Sequence, residues 1–535
     1  MAKHAILTKR SQRVVAAMAT SGLLATGIAV PIAQVASANV ILGLEGSTCT
    51  IETDVSFSQA VLRHAIESAI SDSMCEAVEI NSSTNAPIDL EISGTALRIG
   101  ASDMSGDTRR SFTIKSTTGL NVKPGTEAND TLFVLEDNSF ETITIEGLTF
   151  RDASSAAIDG EDFDGFGDTE TTLRVKNSRF INNGSFSSPN GALLTSGDVE
   201  ISNSIFSNNF GQAVYALGDA TVSGSLFIEN EAESRFTLEA YGGAVWSAGS
   251  IYSVNSTYLD NSARGGGALF SQGGVVELAL NTFSGNDAYS WGATVGSTDV
   301  VAMWGNIFTG PGIGEVYSEF DTFDLGYNLT DSDITSFTAE TSKEAAAEEW
   351  NFGTAPTSAD VDRSTPVTTA PVLPLTSSSV AVNFVRGLLP ERLSDFFEGK
   401  TSIDQLGKSR GSVKAAGAHQ VTRRSSSAAA PVVVQTEPKR ITVPGFAANS
   451  TKLTRPMRAE IRKFLRANPD LNNVVCRGFT SSPATAKDRV LARNRGKVAC
   501  DYIKTLRPEA KVTIRSGSHT NKPGKQIRRV SITLR

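Results

Sequence analysis

The chain has 535 residues, 40% hydrophobic and 20% charged, which is enough apolar material for two or more packed cores and excludes a disordered protein. Its 26 Phe against 4 Trp and 8 Tyr, with 46 Gly, is the usage of short strands and tight turns and argues against an all-helical enzyme. The net charge of -8 divides unevenly: residues 439–535 hold 23 Lys and Arg against 5 Asp and Glu, a net of +18, and residues 39–438 carry -30, so a boundary near 438 separates two oppositely charged bodies.

Residues 1–38 have the layout of a secretory signal, with a basic start through Arg13, an apolar run from Val14 to Val35 broken by Pro31, and Ala36-Ser37-Ala38 at the cleavage point. The expectation is an exported mature chain starting at Asn39. An uncleaved membrane anchor is the competing reading, since the run approaches spanning length, but its many Ala, Ser, Thr and Gly residues are weakly apolar. No Cys follows the cleavage point, so no lipid anchor is expected there.

Export permits disulfides. The four cysteines fall in two local couples, Cys49 with Cys75 and Cys476 with Cys500. Four Cys allow three connectivities, and only the local one keeps each bridge inside one domain. A zinc site would lack the usual C-x-x-C spacing and nearby His.

Between residues 130 and 310 an aromatic recurs in one setting: Phe150, Phe180, Phe206, Phe227, Tyr258, Phe283 and Phe308, at a mean interval of about 26. Three positions later stand Asn183, Asn209, Asn230, Asn261 and Asn286, and a second series places Ala192, Ala213, Ala244, Ala268 and Ala293 in matching positions. Each short repeat can bury its inward face only against the next. The pattern predicts a right-handed parallel β-helix with stacked aromatic and Asn columns and with insertions on loops. Both columns are expected to be structural, the Asn satisfying its own turn and its neighbours. Trp246, Tyr252, Tyr289 and Trp291 are the aromatics that a glycan could meet, depending on register.

One insertion carries Asp159, Glu161, Asp162, Asp164 and Asp168 within ten residues. Crowded carboxylates on a Gly-rich loop need a hard cation or solvent, so the alternatives are a Ca²⁺ site and a solvated acidic loop, with the loop preferred. No other cofactor is expected.

These repeats resemble the exported bacterial β-helix proteins that join one kind of body to a choice of C-terminal anchors. The resemblance covers roughly residues 49–420. At the front it rests on Cys49-Thr50-Ile51 and Val61-Leu62-Arg63-His64-Ala65-Ile66, with Val61 where that family has Ser. At the back it rests on Leu373-Pro374-Leu375-Thr376-Ser377, Asp404-Gln405-Leu406-Gly407 and Gly417-Ala418-His419. It implies fold and envelope location and no reaction. A polysaccharide lyase or glycoside hydrolase of β-helix type is the alternative, but it needs carboxylates on neighbouring coils of one face. The repeated positions hold Asn, Ser, Thr and Ala instead, and an acidic body repels an anionic substrate. No catalytic residue is assigned.

Residues 421–438 combine Ser, Ala and Pro without apolar periodicity and read as a linker. Beyond it, helices are expected over 456–467 and 484–505 and strands over 474–478, 511–516 and 529–534, a two-layer α+β domain. This segment, 439–535, resembles the OmpA-like module that attaches envelope proteins to peptidoglycan. The matches are Phe446 to Leu453, read as a strand followed by an N-S-x-x-L turn, Gly478-Phe479-Thr480, Leu491 to Ile503, and Arg528-Arg529-Val530-Ser531-Ile532. In that family an Asp after the G-x-T and a helix Arg clamp the stem peptide. The resemblance therefore implies a peptidoglycan site at Arg495, Thr480 and Ser481, with neutral Ser481 in the place of Asp.

Helical phase singles out Arg495 independently. At about 100° per residue it falls with Leu491, Val498 and Tyr502 on the apolar stripe, while Arg489, Arg493, Lys497 and Lys504 face away. A guanidinium so placed needs a partner, either a protein carboxylate or a ligand one. The expected function is an exported, non-catalytic envelope protein. Its C-terminal domain meets peptidoglycan or an anionic wall polymer, its β-helix offers a surface for a glycan or host ligand, and nucleic acid plays no part.

Overall fold

The computed structural model describes residues 41–45, 48–53, 59–71, 75–100, 110–125, 131–135, 140–160, 171–185, 191–232, 240–310, 316–331, 338–345, 349–361, 366–393, 395–421, 439–447, 449–468, 473–480, 486–507, 510–516 and 528–534. The signal segment, the linker from 422 onward, Glu161, Asp162, Asp164, Asp168 and Ser481 lie outside them. The chain divides into two compact units, Met1–Arg423 and Arg424–Arg535.

The first unit is built almost wholly of parallel strands. Each turn of chain gives one short strand to each of three ladders. The first ladder runs through Thr172–Lys176, Val199–Ser202, Ala220–Ser223, Ile251–Val254, Val276–Ala279 and Val300–Trp304. The second runs through Arg179–Ile181, Ile205–Ser207, Leu226–Ile228, Thr257–Leu259, Thr282–Ser284 and Ile307–Thr309. The third has nine strands, from Leu97–Ile99 to Val316–Ser318. This stacking of successive turns is compatible with a β-helix.

Register follows side-chain chemistry. All seven predicted aromatics pair in sequence order along the second ladder. Their ring centroids are 4.7 to 5.2 Å apart, and neighbouring planes lie within 14° of parallel. Two residues after each aromatic the chain turns with positive φ, at Asp152, Asn182, Asn208, Glu229, Asp260, Gly285 and Gly310, the conformation that Asn, Asp and Gly tolerate best. The Asn column follows at the next position. Asn183 Nδ2 donates to Asn209 Oδ1 at 3.0 Å, and the same bond repeats through Asn230, Asn261 and Asn286 at 2.9 to 3.0 Å. Each Asn also donates to the carbonyl of an aromatic, as Asn230 does to Phe206 O at 3.0 Å, so the buried amides are satisfied from turn to turn.

The Ala series departs from expectation at one place. Ala192, Ala213, Ala244 and Ala268 precede registered strands of the third ladder, but Leu269 pairs with Val295. Thr294 therefore takes the place assigned to Ala293, and Ala293 stands beside Gly267. The extra strand pair Ser262–Gly265 with Asp287–Trp291, which carries a register shift, supplies the displaced residue.

The front of the unit is covered by the helix Gln59–Ser71, which buries Leu62 and Ile66 completely. Arg63 ties it to the coil by donating to Thr95 O at 2.6 Å. Cys49 and Cys75 form a disulfide with Cα atoms 5.6 Å apart. On the coil's flank, Val361, Val367, Ala370 and Leu373 cover the outward residues Ile205, Leu226, Ile228 and Leu259 of the second ladder.

The second unit has a four-stranded sheet, ordered Lys439–Pro444, Arg529–Leu534, Asn473–Gly478, Lys511–Ser516. The helices Arg455–Ala467 and Ala486–Leu506 pack on it. Thr454 caps the first helix, accepting from Met457 N, with Pro456 in its first turn. The edge strand Lys439–Pro444 corrects the reading of a strand at Phe446. The strand precedes that residue, and its signal was the alternation of Ile441 and Val443 with polar neighbours. Cys476 and Cys500 are bridged with Cα atoms 5.8 Å apart, tying sheet to long helix.

Candidate functional site

Arg495 lies in the long helix of the second unit, on its inner side as the phase predicts, and is fully buried. Its expected partner was a carboxylate. Among the described residues the guanidinium donates to three backbone carbonyls: Nε to Ser450 O at 2.9 Å, Nη1 to Phe479 O at 2.7 Å and Nη2 to Ala447 O at 3.1 Å. The guanidinium also faces the Phe446 ring, 5.1 Å from its centroid. These carbonyls are available because 445–447, 449–453 and 479–480 carry no regular secondary structure, and unpaired backbone acceptors need a donor when buried. Arg495 thus joins the loop after the first strand to the end of the third. Thr480, beside Phe479, is 2% exposed. Gly478 is needed at the same crossing, because a Cβ would meet Ala492 O and Gly496 N of the helix.

In the coil, Asp159 is not on a loop. It is the middle residue of the third-ladder strand Ile158–Gly160, paired with Val134 on one side and Leu194 on the other, and the burial pattern turns it outward. The remaining predicted Ca²⁺ ligands lie outside the described residues. Among the described residues no group of three or more His, Cys, Asp or Glu is placed to hold a metal ion.

Asp159 belongs to an outward column that runs from Arg98 and Val134 through it to Leu194, Tyr215, Trp246, Phe270, Gly296 and Tyr317. Tyr215 and Trp246 stack at 4.2 Å and 13°, and the Phe270 ring lies over Gly296, where a Cβ would collide with it. Trp246 is 4% exposed, so its ring face is occupied by a neighbour and is not a sugar platform. Tyr252 faces outward from the first ladder, half-buried, with Phe396 at 6.0 Å. The side chains of Tyr289 and Trp291 are outside the described set.

Charges on the coil pair across strands. Arg174 Nε donates to Glu200 at 2.7 Å, and Lys115 meets Glu79 at 2.7 Å. Burial would raise the pKa of Glu79, but hydrogen bonds from Lys115 and Asn81 outweigh it and hold the carboxyl below its usual value.

Two features escaped the sequence reading. One is a second polar column, Ser178, Ser204, Ser225, Ser256, Asn281, Asn306 and Asn328, in which each backbone N–H donates to the next side chain at 2.9 to 3.3 Å. Its signal was the Ser or Asn two residues ahead of each aromatic from Phe180 to Phe308. The other is a latch. The three closing elements meet on the coil: Leu375 N donates to His419 Nδ1 at 2.9 Å, Gln420 N to Asp404 Oδ2 at 2.9 Å, and Thr257 Oγ1 to Gln405 Oε1 at 2.6 Å. Arg410, fully buried, donates to Ile403 O, Ala415 O, Gly417 O and Asn255 Oδ1 at 2.7 to 3.0 Å. Burial pushes its pKa down to about 9, with Asp404 pulling the other way, so it stays cationic at neutral pH.

Compared with known proteins, the chain matches no family model, and no curated protein matches it.

Proposed function

We propose that this is an exported, non-catalytic cell-envelope protein. In this reading an acidic right-handed parallel β-helix, residues 39–420, is presented for adhesion or carbohydrate binding. A linker, 421–438, joins it to a basic two-layer OmpA-like domain, 439–535, that attaches it to the cell wall, and residues 1–38 direct export. The observation that carries the reading is the coincidence of two separate folded units with a charge division of -30 against +18.

The inward columns support it as well, because the repeated polar residues are engaged in holding the coil together. Retaining or inverting hydrolysis needs two carboxylates facing one another across a cleft. In the registered strand pairs among the described residues, Glu and Asp stand opposite cationic or neutral residues, as Glu146 does opposite Lys176. Attachment through a stem-peptide carboxylate at Arg495 would have to exchange with carbonyls already bonded there; a basic surface needs no such exchange.

The test is co-sedimentation of the full chain with purified cell-wall sacculi, beside a chain ending at Gln420. The full chain should pellet and the shortened one should stay in the supernatant. Equal partition of the two would overturn attachment through the basic unit.

A further inference from the structure

The stretch 366–375 covers part of the coil without joining a ladder. Pro366, Pro371 and Pro374 have no N–H to give one. Among the described residues its other N–H groups donate at two places, Val367 to Asn177 O at 3.0 Å and Leu375 to His419 Nδ1 at 2.9 Å. The carbonyls of Ala370 and Pro371 accept from Gln405 Nε2 at 3.4 and 2.7 Å, and Pro374 O accepts from Gly353 N at 2.7 Å. Its hold on the coil is otherwise apolar. Val367, Ala370 and Leu373, with Val361, bury the row Ile205, Leu226, Ile228 and Leu259.

One of these bonds is sensitive to a proton. An N–H can only donate, so the bond from Leu375 requires that His419 Nδ1 carry no proton. Protonation fills that lone pair, leaves the Leu375 N–H without its acceptor, and puts a cation in a side chain only 8% exposed. The surroundings do not compensate. Among the described residues the charged groups acting on the ring are Asp404, Lys408 and Arg410. Both carboxylate oxygens of Asp404 are already bonded, Oδ1 to Lys408 N at 2.7 Å and Oδ2 to Gln420 N at 2.9 Å, and the other two groups are cations. The coil meets this junction through neutral side chains, Thr257 at Gln405 and Thr282 at Ala418 N, and 366–375 carries no ionisable side chain.

We infer that residues 366–375 form an acid-opened strap, with His419 as its catch. Above the ordinary imidazole value of 6.5 the ring is neutral in both states and the strap stays closed. Below it the open state takes up a proton that the closed state disfavours, because burial lowers the pKa there, so opening grows as pH falls. A single proton sets the ceiling. From about pH 8 to about pH 5 the opening equilibrium rises by at most about thirtyfold, approaching one decade per pH unit. Opening uncovers the apolar row of the second ladder. The inference stands on this packing and goes beyond the wall-attachment reading without resting on it.

The test is thiol labelling of the full chain. Its four cysteines form two disulfides, so one introduced thiol reports alone. Ile205→Cys and Ile228→Cys, in separate chains, place the reporter in the covered row. Ala302→Cys places it in the neighbouring apolar cluster, at a site 4% exposed, and Leu388→Cys, at a site 91% exposed, calibrates the reagent at each pH. Relative to Leu388→Cys, labelling at 205 and 228 should rise on acidification by several-fold and by no more than about thirtyfold, while labelling at 302 stays low. Adding His419→Asn, whose amide oxygen can accept from Leu375 N at any pH, should flatten the response. Equal labelling at about pH 8 and about pH 5 would overturn the strap. A rise that survives His419→Asn would overturn the catch, and a parallel rise at 302 would show general loosening of the coil and overturn both.

Discussion

Arg410 donates to Asn255 Oδ1 at 3.0 Å across 155 residues of chain. Asn255 sits with positive φ at a corner of the coil and also donates to Lys400 O at 2.7 Å, so one turn residue holds the closing segment from two sides. Replacing Arg410 with Met would keep much of the volume and leave several buried oxygens without their donor, a loss of about 3 kcal/mol or more. The expected outcome is early proteolysis and rapid hydrogen exchange within 366–421 while the coil's strands stay protected.

Phe206 lies between Phe180 and Phe227, each at 4.7 Å and within 5° of parallel. Phe206→Ala should cost about 3–5 kcal/mol, and Phe206→Asp should unfold several turns together, since stacked repeats stabilise one another. Chemical unfolding followed by circular dichroism measures both. An Asp variant with unchanged melting would contradict the register.

Asn230 uses its Oδ1 to accept from Asn209 and its Nδ2 to donate to Asn261 and Phe206 O. Asn230→Asp removes the donors and places an acid against oxygens. Its folded pKa should be raised well above the unfolded value, so the variant should be least damaged in acid and lose more stability as pH rises through neutrality. A pH-independent penalty would show that the column tolerates the charge.

His419 accepts from Leu375 N, and burial holds its pKa below the ordinary 6.5, with Asp404 opposing and Lys408 and Arg410 adding to the shift. Because the folded value lies below the unfolded one, the latch is intact above pH 6.5 and loses stability as pH falls below it. Exchange protection near Leu375 should drop between neutrality and mild acid. His419→Asn should remove that pH dependence.

Arg495→Ala would strip three backbone carbonyls of their donor, at a cost of about 2–4 kcal/mol to the second unit. Arg495→Lys should recover only part of it, because one ammonium cannot reach three carbonyls held in a planar fan. The thermal transition of the second unit in the full chain measures both. Unchanged melting in the Ala variant would show that these three bonds contribute little to the fold.

The repeating core was legible in the sequence. A stack of equivalent turns must place like residues in register, so a mean interval of about 26 between aromatics already named the stacked column and the Asn three positions on. The cysteine pairs followed from proximity in the chain, and the inner placement of Arg495 from helical phase. Other features were decided only in three dimensions. Ala293 slipped by one place because strands of three residues carry too little alternation to specify register across an insertion. Asp159 read as loop because its strand consists of only three residues beside an acidic run. The carbonyls bonded by Arg495 and the bond from Arg410 to Asn255 join residues distant in the chain. Local periodicity reports which side of an element is buried; it holds no information about which distant atoms will lie there.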